Sequence, residues 1–116
     1  MKAFIVSLML LCSAAYGIEH GIASIYSTKC NNSTKTASGV KLNNSAYTAA
    51  HKTLPLGSWV KVKNLRNNKT VVVKIIDRGP YVRGRVIDLT PRAANQIGLT
   101  YKQGLAKVQV QRVVFN

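Results

Sequence analysis

A chain of 116 residues holds one domain. Seventeen basic residues stand against three acidic ones, a formal charge of +14, and there are only two cysteines. This balance predicts anionic polymers as partners and leaves too few cysteines for a disulfide-stapled scaffold.

Residues 3–15 are an apolar run behind a single lysine, Lys2. The run is shorter than the roughly 20 residues a membrane-spanning helix needs. Ala15-Tyr16-Gly17 supplies small residues at the positions a signal peptidase reads. The expectation is a signal peptide over 1–17 and one domain over 18–116, secreted or periplasmic. Leu11 is bulky where lipoprotein processing wants a small residue, so no lipid anchor is expected at Cys12. The mature chain then has sixteen basic and three acidic residues, and Cys30 has no partner for an intrachain disulfide.

Residues 21–26, Gly-Ile-Ala-Ser-Ile-Tyr, predict a first strand. Residues 28–39 are polar and aperiodic and read as a loop. Ala46 to His51 fits strand or helix equally, and Leu54-Pro55-Leu56-Gly57 is a turn. From Ser58 to Lys63 the chain alternates, with Val60 and Val62 on one side and Trp59, Lys61 and Lys63 on the other. Arg66 to Lys69 is a hairpin turn. Val71 to Ile76 is the densest β-branched run and predicts a buried strand ending at Asp77. Arg78-Gly79-Pro80-Tyr81 must turn, because proline cannot continue a ladder. Arg85 to Leu89 predicts another strand. Thr90-Pro91 opens a short helix that Gly98 closes. Ala106, Val108 and Val110 alternate with Lys107, Gln109 and Gln111, a last strand. Six short strands with one or two short helices must hide their edges, and a small closed all-β barrel does this economically.

The strongest candidate for chemistry is Asp77, a carboxylate at the mouth of a tight turn among Arg78, Arg83 and Arg85. As a general acid it must hold its proton near neutral pH, against a cationic surround that favours ionisation. The simpler reading is an Asx-type turn accepting from the Gly79 amide. Asp88 reads as structural, paired with Arg85 or with backbone amides, and Glu19 reads as a frayed terminal residue. His51 reads as structural or catalytic, and Trp59 as an exposed platform for a sugar or as a cover for a barrel end. No spacing of His, Cys, Asp and Glu suggests a metal site, and there is no phosphate or dinucleotide fingerprint. No metal or other cofactor is expected.

Several segments together resemble the rare lipoprotein A family. They are Thr36-Ala37-Ser38-Gly39, the run TAAHKTLPLG from Thr48, Val71 to Ile75, Asp77-Arg78-Gly79-Pro80-Tyr81 and Gly84 to Leu89. The likeness runs from about Gly21 to Val113. It implies a six-stranded double-psi β-barrel, as in expansins, and endolytic transglycosylase activity on the naked glycan strands of peptidoglycan. It implies that Asp77 is the acid/base and that His51 orients substrate or relays a proton. It also implies that Tyr26, Arg78 and Tyr81 bind substrate. In the implied reaction the muramic 6-hydroxyl closes a 1,6-anhydro ring, so one carboxyl group can serve twice. Val40 stands where the family usually carries Glu, and Ile76 where it has Asn before the DRGP motif. The alternative is therefore an expansin-like module that binds the wall without cutting it. The expected partners are peptidoglycan strands and other anionic envelope polymers, with no nucleic acid and a monomeric state.

Overall fold

Residues 17–26 and 34–115 are described by the structure, a computed structural model. The expected signal segment up to residue 16, with Cys12, lies outside the described residues, as does Cys30. Six strands form: β1 (Ile18–Ile25), β2 (Thr48–His51), β3 (Trp59–Asn64), β4 (Thr70–Asp77), β5 (Arg85–Leu89) and β6 (Leu105–Val113). They close into a barrel in the order β1-β5-β2-β4-β3-β6. The β1–β5 and β2–β4 pairs are parallel, and the other four are antiparallel. The predicted six-stranded barrel is therefore present. Alanine-rich Thr48–His51, ambiguous by composition, is a strand because β4 and β5 hydrogen-bond it from both sides.

Alternation decides the inside. Val60 and Val62 of β3, Val71, Val73 and Ile75 of β4, and Ile87 and Leu89 of β5 fill the barrel. A short helix, α1 (Pro91–Gln96), brings Ala93 and Ala94 onto the same core. Thr90 caps it: the hydroxyl accepts weakly from the Ala93 amide at 3.4 Å and donates to the Ala46 carbonyl at 2.6 Å. Thr90 is fully buried. Thr90→Val keeps the volume and loses both bonds, so it should cost about 1–2 kcal/mol in a denaturant titration.

Two features outside the barrel position the site. Tyr26, Leu42 and Ala50 form a small second cluster on the outer face, beneath the loop from residue 34 to 42. That loop is pinned at its base by a Lys35–Lys41 bridge and clasped to β4 by the Ser38 amide, which donates to the Ile76 carbonyl at 3.0 Å. The second feature is an irregularity in the β2–β4 ladder. Ala49 pairs with Ile75, but Ala50 pairs with Asp77. Ile76 is the extra residue. Strict alternation would send Asp77 inward after Val73 and Ile75; the bulge turns it to the outer face instead.

Candidate active site

Ala50 is the centre of the site. Asp77 lies beside it on β4 and Asp88 beside it on β5. With β2 between them, the two backbones are on the order of 10 Å apart, close enough for side chains to share one surface. Ala50 is small and buried, and Tyr26 and Leu42 pack against it. Both carboxyl groups rise from the outer face, over the Tyr26–Leu42–Ala50 cluster.

Both oxygens of Asp77 accept hydrogen bonds. Oδ2 accepts from the Tyr26 hydroxyl at 3.1 Å and Oδ1 from the Ala37 amide at 2.9 Å. In place of the Asx turn to Gly79 expected for this residue, the contacts come from Tyr26, just after β1, and from the overlying loop. Tyr26 is itself buried, so its hydroxyl orients Asp77.

Asp88, expected to pair with Arg85 or with backbone amides, has a further partner. Its Oδ1 accepts from the Ser24 hydroxyl of β1 at 3.0 Å. Burial pushes its carboxyl above the ordinary aspartate value, and the Asp77 charge adds to that. The Ser24 hydrogen bond and the Arg85 guanidinium pull part of it back. A half-buried carboxyl beside a second carboxylate is a group arranged to keep a proton, which is what a general acid needs. Sequence reasoning passed over Asp88 because its visible neighbour was Arg85. Ser24 lies 64 residues away in the chain.

His51 lies on the other side of β2. It follows Ala50, and alternation sends its ring away from the carboxylates. Nδ1 accepts from the Thr53 and Leu54 amides, both at 3.1 Å, so the ring hydrogen sits on Nε2 and points at Glu19 Oε1, 2.7 Å away. Glu19, expected to fray, is held in β1 opposite Val110 of β6. It has a partner in His51, 32 residues away, that local composition does not reveal. With Arg112, Thr53 and Leu54, the pair lines a separate cleft of about 220 Å³ at the barrel end.

Arg78 connects the two sides. Its Nη1 donates to the His51 carbonyl at 3.0 Å and to the Leu54 carbonyl at 2.7 Å. The residue after Asp77 is thus tied to the corner that His51 folds. Tyr81, at the far end of the turn, is 77% exposed, and Val40, whose carbonyl accepts from the Thr36 amide to close the loop, is 52% exposed. Asp77, Tyr26 and Asp88 are therefore brought together on one face. His51 and Arg78 stand behind it, and Tyr81 is open to solvent. Among the described residues no group of three or more His, Cys, Asp or Glu could hold a metal ion.

The family model described as lytic transglycolase matches residues 18–110, nearly all of the barrel. The chain belongs to this family. It is 55% identical over 93 residues to the endolytic peptidoglycan transglycosylase RlpA of Pasteurella multocida, covering 80% of this chain and 31% of that protein. It is 47% identical to the RlpA of Haemophilus influenzae, covering 81% of this chain and 32% of that one. A probable RlpA of Aquifex aeolicus is 43% identical, with 84% and 46% covered. The chain thus spans less than half the length of these relatives. Among solved structures, the Clavibacter michiganensis expansin superposes with a TM-score of 0.68 at 18% identity, covering 86% of this chain and 52% of that one. A Streptomyces papain inhibitor superposes at 0.64 and 21% identity, covering 84% of this chain and 96% of that one. Both likenesses are of fold alone, and the fold is the double-psi β-barrel of the family.

Proposed function

We propose that this barrel is an endolytic lytic transglycosylase acting on peptidoglycan in the cell envelope, after export by the N-terminal signal segment. In this reading it cleaves the bond between N-acetylmuramic acid and N-acetylglucosamine in glycan strands stripped of peptides. The observation that carries it is the pair of carboxyl groups flanking Ala50 on one outer face, one of them held towards its protonated form by burial. The relatives named endolytic peptidoglycan transglycosylase support the substrate class.

The pair divides the work. Asp88 donates its proton to the glycosidic oxygen as the C1–O bond breaks, and the N-acetylglucosamine end leaves as an alcohol. Asp77 accepts the proton of the muramic 6-hydroxyl as O6 bonds to C1, which closes the 1,6-anhydro ring. No water is consumed. One proton has moved from Asp88 to Asp77, and exchange with solvent restores both groups. Tyr26 and the Ala37 amide hold Asp77 in place. Arg78 and His51 act behind it as positioning residues, and Tyr81 lies at the rim as a contact for the strand.

Val40, exposed where the family usually carries Glu, favours a second reading, a wall-binding module without chemistry. Product analysis separates the two. The protein is incubated with amidase-stripped glycan strands, and the soluble products are analysed by mass spectrometry. Anhydro-muramic ends, lighter by one water than hydrolysis products, are expected. Reducing ends would mean a hydrolase. No product from folded protein that sediments with the strands would leave the binding module.

A further inference from the structure

The wall of the barrel opposite Asp88 has a different composition. In the closed order, β5 and β2 face β3 and β6 across the barrel. Val60 and Val62 point inward, so Trp59, Lys61 and Lys63 point out in one row along β3. Lys74 of β4 lies opposite Trp59, and Val72 opposite Lys61. Of the three acidic residues of the chain, Asp88 is on the far wall, Glu19 is against His51 at the barrel end, and Asp77 ends β4, three residues on from Lys74 and past the bulge. The charged residues of the β3 row and of the β4 positions paired with it are all cationic.

It is also aromatic. Trp59 is 38% exposed and Phe115 is 69% exposed, their rings edge to face with centroids 6.3 Å apart. The Lys74 ammonium lies 5.9 Å from the indole centroid. Beside them opens a cleft of about 300 Å³ lined by Gly57, Ser58, Trp59, Arg112 and Phe115. Lysines that only keep a barrel soluble need no exposed indole among them. Successive outward positions on a strand are about 7 Å apart, so Trp59 to Lys63 is a track on the order of 14 Å long.

We propose that this wall is a second binding site, for an anionic glycan: hexose rings that carry carboxylate or phosphate. The apolar C–H face of one ring lies on the indole, whose π cloud attracts the slightly positive C–H bonds. Neighbouring acidic groups meet Lys61 and Lys74, and Arg112, which also borders the Glu19–His51 cleft, flanks them. The β3 row lies across the barrel from Asp88, the proposed acid, so it retains the barrel on its polymer whether or not a bond is being cut.

Trp59 is the single tryptophan of the chain, so its fluorescence reports on this wall directly. The experiment uses the Asp77→Asn/Asp88→Asn protein, which keeps turnover out of the measurement, so failure of the cleavage reading leaves this test intact. Four probes are titrated: amidase-stripped glycan strands, glycosylated teichoic acid, neutral chitohexaose and poly-glutamate. A saturable change with the strands or the teichoic acid, weakening with added salt, is expected, and the tighter of the two identifies the source. Trp59→Ala, followed by co-sedimentation, should weaken binding about 10-fold, as should Lys61→Gln/Lys74→Gln, which leaves every ring in place. Circular dichroism checks that both variants fold. Unchanged fluorescence with both anionic glycans overturns the proposal. So does equal affinity for chitohexaose, which would make charge irrelevant, or for poly-glutamate, which would make the sugar irrelevant.

Discussion

Asp88→Asn is expected to lower glycan cleavage by about 10³-fold and to leave the barrel at least as stable as the parent at neutral pH. The rate loss follows from the role: a positioned general acid contributes about 10²–10⁴-fold, and an amide has no proton to give. The stability follows from the direction of the shift. The Asp88 carboxyl titrates above the ordinary aspartate value in the folded chain. The folded state therefore binds this proton more tightly than the unfolded state does. Its effect on stability is fully favourable below the unfolded value and declines as pH rises through the folded one. Asparagine keeps an oxygen for the Ser24 hydroxyl and never ionises. Melting curves of variant and parent should thus converge in acid, with the variant equal or higher at neutral pH. The parent's cleavage rate should fall as pH rises through the Asp88 titration, and that limb should vanish in the variant. A structural brace predicts the reverse, with melting temperature and activity falling together. A site that gains stability when its chemistry is removed is the signature expected of strained catalytic groups.

Short-range patterns were legible in the sequence, and long-range ones were not. The alternation of β3 and β6, the β-branched run of β4 and the Thr90-Pro91 start of the helix each depend on neighbours within a few residues. The order of the DRGP and TAAH segments carried the family, and with it the barrel. The bulge at Ile76 left no local mark, because Val71 to Ile76 is uniformly apolar, yet it decides which way Asp77 faces. The partners of Glu19 and Asp88 were hidden for one reason. Those partners, His51 and Ser24, lie 32 and 64 residues away, and only barrel closure brings them together. Trp59 was legibly outward from alternation. Its neighbours Lys74 and Phe115 were not legible, since Lys74 comes from another strand and Phe115 from the segment after β6.

His51→Ala should cost about 2–3 kcal/mol of stability and lower the cleavage rate at least 10-fold, and His51→Asn should recover most of both. The ring accepts from the amides two and three residues ahead, Thr53 and Leu54. That is the pattern by which asparagine folds a chain back on itself, and the Asn side-chain oxygen sits near the position of Nδ1. Alanine leaves both amides without that acceptor, at about 1 kcal/mol each, and adds a void beside Leu54. The corner then loosens, and with it the His51 and Leu54 carbonyls that grip Arg78, the residue next to Asp77. Asparagine rebuilds the corner but cannot relay a proton. The exposed Glu19 carboxylate loses its partner in either variant, so that contact does not distinguish them. Urea melts and initial rates on stripped strands give the two readouts. An Asn variant as stable as the parent yet as inactive as Ala would assign His51 a proton to carry. An Asn variant with nearly full rate means that His51 acts on Asp77 through the backbone, by holding the turn on which that carboxylate is mounted.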